Sequence, residues 1–241
     1  MILVLPMGGS GARFIQAGYV TPKPLLLVKG HPLIWWALQS YEKFASLVVA
    51  VLRPEHLQAG IQVHLPRSTA IHILTESTTG PVQTCLVIHQ LLNTAEEILI
   101  ADCDSFLAHD EMRSALAIFR SSHADGGVTV RVTTDPMCSY AVINEAFQVV
   151  QTAEKQVISS WSTTGPYWWR HGQDFLAAVH ALPQERHVSP LYNWLIQQGR
   201  QVKAVPVTTF RHLGTPADLE AFAKEPVVED PYRWESQGEW R

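Results

Sequence analysis

The chain opens on a fully apolar run, Ile2–Leu5, which Pro6 stops and glycines follow at once. A run without polar alternation predicts a strand buried on both faces, here one that feeds a backbone loop. Similar runs recur at Leu47–Leu52, Ala70–Leu74 and Ile98–Ala101. Between them the apolar positions take helical spacing: Ile34, Leu38 and Tyr41 behind Pro32, then Cys85, Ile88 and Leu92, then Met112, Ala115, Leu116 and Phe119. Proline suits the first turn of a helix, so Pro32 marks a start. Strand alternating with helix predicts an α/β fold with a mostly parallel sheet covered on both faces.

Beyond Gly126 the rhythm changes. Val128–Val132, Tyr140–Ile143, Val149–Thr152 and Gly165–Trp169 read as strands with turns between them, and a helix is expected from about Gln173. Neighbours on a strand point to opposite faces, so of Trp168 and Trp169 only one is expected in the core, the other walling a pocket or packing under the following helix. The expected organisation is one domain over residues 1–225, in an α/β half to about 125 and an α+β half from 126 that builds one side of a cleft. Residues 226–241, with Trp234 and Trp240 among prolines and charges, read as an extended tail.

Composition narrows the function classes. With 46% hydrophobic residues in 241, one large core is the natural solution. A net charge of −4 carries no basic field for nucleic acid. The longest apolar runs fall short of the roughly 20 residues of a bilayer span, and Met1–Met7 lacks the basic flank of a signal peptide, so a cytoplasmic protein is expected. Cys85, Cys103 and Cys138 are unpaired in spacing and read as small buried side chains, and His109, His171 and His187 take surface or core roles.

Two segments carry candidate chemistry. Gly8-Gly9-Ser10-Gly11-Ala12-Arg13 follows the first strand, where glycines let backbone N–H groups approach phosphate oxygens. Arg13 adds a planar fork of donors, and Lys23, held between Pro22 and Pro24 on stiff backbone that cannot continue a helix, adds a point charge. The loop matches neither G-x-x-x-x-G-K-[ST] nor G-x-G-x-x-G, which disfavours a P-loop kinase and a dehydrogenase. The second segment, Ala101-Asp102-Cys103-Asp104-Ser105, ends a buried strand in two carboxylates, an arrangement that Mg²⁺ shared with substrate phosphates would stabilise. Asp104 is the candidate ligand with Asp102 beside it, and helix capping is the alternative.

In five ordered segments the chain resembles the nucleoside-diphosphate-sugar pyrophosphorylases, or sugar-phosphate nucleotidyltransferases. Leu5–Arg13 with Pro22-Lys23-Pro24-Leu25 is similar to G-G-x-G-x-R…P-K-P-L. Thr79-Gly80-Pro81 falls where the family sets a glycine turn against the nucleobase, and Asp104 falls on its magnesium aspartate. Glu154-Lys155 with Gly165-Pro166-Tyr167 looks like E-K-P…G-x-Y, in which the lysine meets the acceptor phosphate. Leu213-Gly214-Thr215-Pro216 resembles the closing G-T-P. The wording around Ala17–Leu25 and Tyr192–Ile196 is similar to a subgroup from bacterial capsule and surface-polysaccharide clusters that includes cytidylyltransferases.

The resemblance implies a Rossmann-like nucleotidyltransferase fold and a reaction that moves a nucleoside monophosphate, CMP favoured, from a triphosphate to a small phosphorylated acceptor, with Mg²⁺ as cofactor. It places Met7, Gly8, Gly9, Ser10, Gly11, Thr79, Gly80 and Asp102 at the nucleotide. Arg13, Lys23, Asp104 and Lys155 become the catalytic set, and Glu154, Lys155, Gly165 and Tyr140 the acceptor set. Two departures stand out. His212 occupies the position of a second metal aspartate, and an imidazole ligates Mg²⁺ poorly, so either Asp102 compensates or Asp104 and the triphosphate suffice. Tyr140 stands where sugar enzymes carry a glycine, which is expected to block a hexose ring. A glycosyltransferase using Asp102-Cys103-Asp104 and a non-catalytic nucleotide-binding module are the alternatives. Neither nucleic acid nor membrane is an expected partner, and a homodimer is left open.

Overall fold

In the computed structural model, which describes residues 1–226, the four apolar runs of the first half become neighbouring parallel strands. In chain order the elements are β1 (Ile2–Met7), α1 (Ala12–Gln16), β2 (Leu27–Val28), β3 (His31–Pro32), α2 (Leu33–Tyr41), β4 (Leu47–Leu52), α3 (Pro54–Gln58), β5 (Ala70–Ile73), α4 (Pro81–Leu86) and α5 (His89–Leu92). There follow β6 (Ile98–Ile100), β7 (Ser105–Phe106), α6 (His109–Ser121), β8 (Gly126–Val132), β9 (Ser139–Ile143), β10 (Val149–Glu154) and β11 (Trp161–Trp169). The chain continues through α7 (Gly172–Ala181), α8 (Tyr192–Gln197), β12 (Val202–Pro206), β13 (Arg211–His212) and α9 (Pro216–Lys224).

Nine strands share one mixed sheet, parallel through β5-β4-β1-β6 and antiparallel where β11 joins β6. The long β11 divides its neighbours. Along one side it pairs with β8. On the other side its end, Tyr167 to Trp169, pairs with β6, while Ser162 pairs with Tyr140 of β9. Between these contacts lies Gly165, with φ +100, at a register shift that an L side chain would strain. The sheet therefore opens at Gly165, and the carboxyl end of β6 faces that opening.

Alternation along the strands feeds a core on each face. Val4, Val49, Ile100 and Trp169 join one cluster, and Leu3, Leu5, Leu99 and Trp168 the other. Both tryptophans are thus fully buried, each in a core of its own where only one was expected in the core, and Trp169 also meets Phe175 of the following helix α7 at 5.6 Å, one of the two places expected for the second ring. The sheet is covered twice: Trp168 stacks on Phe119 of α6 at 5.5 Å, and Trp169 on Tyr192 of α8 at 4.6 Å. A third cluster, with Phe14, Leu33, Leu213 and Phe222, packs α9 and the β2–β3 hairpin over the start of α2.

Several expected elements differ in detail. Lys23 begins a single 3₁₀ turn, Lys23–Leu25, because Pro24 is compatible with a helix's first turn even though it bars a long one. The Cys85–Leu92 pattern breaks into α4 and α5 around Ile88, whose ψ of 25° departs from helix. The strand expected at Gly165–Trp169 starts earlier, at Trp161, since the Thr163–Thr164 stretch is buried despite its polarity. The tail expected over 226–241 lies, past Pro226, outside the described residues.

Candidate active site

Parallel strands deliver their carboxyl ends to one edge. β1 and β4 are in register from Ile2↔Leu47 to Met7↔Leu52, so Arg53 emerges beside Gly8, and its Nη1 donates to the Gly8 carbonyl at 3.4 Å. Gly8 has no room for a side chain: a Cβ there would lie 2.4 Å from Thr84 Oγ1 and 2.5 Å from Thr78 Oγ1. Those two hydroxyls bond each other at 2.7 Å, and Thr84 also donates to the Gly80 carbonyl at 3.0 Å. The glycine loop is thereby clamped onto α4. Gly11, at φ +71, precedes α1 and closes against the Lys23 side chain, where a Cβ would meet Lys23 Cβ at 3.1 Å.

Gly80 is extended, at φ 171, and needs no positive φ; its constraint is proximity. A Cβ would fall 2.5 Å from the Arg186 carbonyl, which also accepts from the Val82 N–H at 3.1 Å. Thr79, on the same loop, is exposed and donates its N–H to Gln83 Oε1 at 2.6 Å.

The end of β6 carries the acidic pair. Lys23 Nζ forms an ion pair with Asp104 Oδ2, with only 11% of the aspartate side chain exposed. Burial would raise the Asp104 carboxyl, but the Lys23 and His212 charges and the Lys23 hydrogen bond hold it below the ordinary range. Burial likewise opposes the Lys23 charge, and Asp104 nevertheless holds that ammonium protonated well beyond its usual range. Asp102 is different. Burial, then the neighbouring Asp104 charge, pushes its carboxyl up to about 7 against the pull of Lys23. The Gly165 backbone presses on it, since a Cβ there would lie 2.8 Å from Asp102 Oδ2.

Around this pair two cavities adjoin. One, of about 510 Å³, is bounded by Met7 to Gly11, Lys23, Arg53, His56, Thr78 to Pro81 and Asp102 to Asp104. The other, of about 440 Å³, is bounded by Arg13, Arg131, Glu154, Lys155, Gly165, His187, His212 and Asp218 among others. Asp102 and Pro81 line both. Lys155 holds a left-handed backbone, φ +52, uncommon for a residue with a side chain and a mark of a constrained site. Its Nζ lies 3.7 Å from Glu154 Oε1, and Glu154 also accepts from Ser139 Oγ.

The structure assembles most of the residues expected from sequence and re-places three. Arg13 faces the second cavity rather than the one that holds the glycines, because it is the second residue of α1 and the helix turns it away. Tyr140 lies outside both linings: its ring is fully buried and its hydroxyl donates to the Asp135 carbonyl at 2.7 Å, so it does not obstruct an acceptor ring. Alternation on β9 turns Ser139 toward the cavity in its stead. His187, expected to have no site role, has Nε2 3.6 Å from Glu154 Oε1.

His212 stands beside Asp104. β13 pairs with β7 so that His212 opposes Ser105, and Leu213 donates its N–H to the Asp104 carbonyl at 2.7 Å. His212 Nδ1 contacts Asp218 Oδ2 at 3.0 Å, leaving Nε2 4.0 Å from Asp104 Oδ2. Asp218 is itself fixed by Thr215, whose Oγ1 donates to the same carboxylate at 2.5 Å and caps α9 through the Asp218 N–H.

For a divalent cation, the donor chemistry fits. Asp102 and Asp104 offer hard oxygens in space so tight that a Cβ on Gly214 would fall 2.5 Å from Asp104 Oδ2. Among the described residues no cluster of three or more potential protein ligands occurs, so substrate phosphates would complete the shell. Arg53 and His187 were missed from sequence, and Thr84 and Asp218 fell inside segments of the resemblance without being given a role. Arg53 had a readable signal, an arginine directly after a buried parallel strand and hence on the ligand edge of the sheet.

Residues 3–202 match the MobA-like NTP transferase domain family. Among solved structures, the nucleoside-diphosphate-sugar pyrophosphorylase from Vibrio cholerae RC9 is 23% identical, with a TM-score of 0.79 over 92% of this chain and 100% of that one. The UTP-bound UGPase from Acinetobacter baumannii is 15% identical, with a TM-score of 0.73 over 92% of this chain and 91% of that one. The inositol-1-phosphate CTP transferase from T. maritima is 17% identical, with a TM-score of 0.70 over 94% and 97%. At such identities these likenesses establish the shared α/β fold. No curated protein sequence gives a match. No helix among the described residues is long and apolar enough to cross a membrane.

Proposed function

The chain belongs to the MobA-like NTP transferase domain family, and on that premise we propose that it transfers CMP from CTP to a small phosphorylated acceptor in capsule or surface-polysaccharide synthesis. Nucleotidyl transfer itself follows from the family. The nucleobase, the acceptor and the residue roles are our reading. The observation that carries it is that Asp102 lines both the glycine-loop cavity and the Glu154–Lys155 cavity, with Asp104 beside it in the first.

In this reading the triphosphate lies along Gly8 to Gly11, whose N–H groups and the Lys23 ammonium take its negative charge. An oxygen of the acceptor phosphate attacks the α-phosphorus. The new P–O bond forms as the bond to the β-phosphate bridging oxygen breaks, and pyrophosphate leaves. A phosphate dianion is already nucleophilic, so no side chain has to remove a proton. Lys155 orients the acceptor phosphate, Glu154 takes an acceptor hydroxyl or amine, and Arg13, facing the acceptor cavity, steadies phosphate oxygens near the junction. Asp104, with Asp102, would hold Mg²⁺, which when bound neutralises phosphate charge. The preference for CTP is supported by the subgroup resemblance; the T. maritima neighbour, by its name, uses CTP on inositol 1-phosphate.

The deciding experiment is a pyrophosphate-release screen of the four ribonucleoside triphosphates against phosphorylated sugars, amino acids and alcohols. Release with CTP and one acceptor class is expected. Consumption of a nucleotide-sugar without pyrophosphate would support a glycosyltransferase instead, and tight triphosphate binding with no release at all would support a binding module.

A further inference from the structure

Nothing in the proposed reaction uses Arg131, yet its setting calls for a ligand. It lies near the end of β8, opposite Ser162 of β11, and lines the acceptor-side cavity with Phe210. Its guanidinium carbon sits over the Phe210 ring, 5.0 Å from the centroid. Its Nε is buried with no hydrogen-bond acceptor. A buried guanidinium N–H without an acceptor is costly, and a ligand oxygen would relieve that cost.

Of the acids lining this cavity, Asp102 faces Lys23 and Asp104 at the far side, and the other three have partners of their own. Asp135 Oδ1 accepts from the Met137 N–H at 2.9 Å, Asp218 takes Thr215 and His212, and Glu154 takes Ser139 with Lys155 and His187 nearby. Among the described residues neither Arg131 nor Arg13 has a carboxylate within ion-pair reach. Arg131 nevertheless stands close to the acceptor lysine. The guanidinium hydrogen-bonds the Cys138 sulfur, a weak and neutral partner, and the Cys138 carbonyl accepts from the Lys155 N–H at 3.1 Å. One phosphate held by Lys155 and Arg13 leaves this third cation unanswered.

We propose that the acceptor carries, besides its phosphate, a second anionic group that Arg131 receives, either a carboxylate or another phosphoryl group. Both match the two-pronged geometry of a guanidinium. The inference rests on the nucleotidyltransferase reading of this cavity and names the substrate class within it: phosphorylated acids or bisphosphates rather than simple sugar or alcohol phosphates.

The test is binding, which needs no turnover. Calorimetric titration of the full chain uses three probes: glycerol 3-phosphate, 3-phosphoglycerate and propane-1,3-diol bisphosphate. At least one doubly anionic probe should bind about tenfold more tightly than glycerol 3-phosphate. Arg131→Leu should abolish that factor with an unchanged melting temperature, and Arg131→Lys should retain part of it. Which probe is preferred distinguishes carboxylate from phosphoryl. Equal affinity for all three probes, or a preference that survives in Arg131→Leu, overturns the proposal and leaves Arg131 a packing partner of Phe210. Pyrophosphate release is scored separately, so a failure of the transferase reading shows as no release even where the anion preference holds.

Discussion

Gly165 is pressed against Asp102 so closely that a single added methyl group would stand 2.8 Å from the carboxylate oxygen. The contact sits where β11 parts from β6 toward β9, so this glycine lines the acceptor-side cavity against Asp102, which lines both cavities. Gly165→Ala should therefore fail twice, through strain at φ +100 and through displacement of Asp102. The expected stability loss is about 1–3 kcal/mol, with turnover falling further than stability accounts for. A variant that keeps wild-type kcat would show that Asp102 has no part in the reaction.

Lys23 and Asp104 form one unit, so their substitutions should not add. Asp104→Asn is expected to cut pyrophosphate release by orders of magnitude with the fold intact, because the amide can still accept from Lys23. Lys23→Met leaves a buried carboxylate without its cation and should cost stability as well. In a double-mutant cycle on melting free energies, the coupling should be about 1–3 kcal/mol. Additive single effects would mean that the two groups do not depend on each other in solution.

The clamp on Gly8 is steric and should act on the triphosphate. Gly8→Ala inserts a Cβ between Thr78 and Thr84, whose hydroxyls cannot both remain in place. Triphosphate affinity should drop by about tenfold or more, while affinity for an acceptor phosphate changes little. Equal loss at both sites would point to collapse of the edge rather than to a nucleotide-specific loop.

Glu111 offers a test far from the chemistry. It accepts from the N–H and hydroxyl groups of Thr208 and Thr209 and so pins the turn leading to Phe210. Burial would raise its carboxyl, but these donors win and hold it below the ordinary value. The unfolded chain then binds the proton more readily, so the contribution is complete above an unfolded pKa of about 4.3 and fades as pH falls through the depressed folded value. Chemical denaturation of Glu111→Gln should show a loss of about 1 kcal/mol near neutrality that narrows in acid. A gap that widens below pH 4 would contradict the assignment.

Much of this protein is legible in its residue order. Apolar runs such as Ile2–Leu5 and Leu47–Leu52 can only be strands buried on both faces, because nothing along them could meet water. The glycines, Lys23 and the Asp102–Asp104 pair were readable as candidates for phosphate and metal chemistry from their residue types behind such strands, with a plain turn and a helix cap as the alternatives. Partnership was not readable. That Trp168 and Trp169 each enter a separate core follows from helices covering both faces of β11, which a strand's own alternation cannot announce. That Tyr140 turns inward, Arg13 faces the second cavity and Arg131 lies beside Phe210 without a carboxylate partner depends on the register of β8, β9 and β11 and on the opening at Gly165. Local sequence specifies which face a side chain takes relative to its own backbone; only the packed sheet decides what waits on that face.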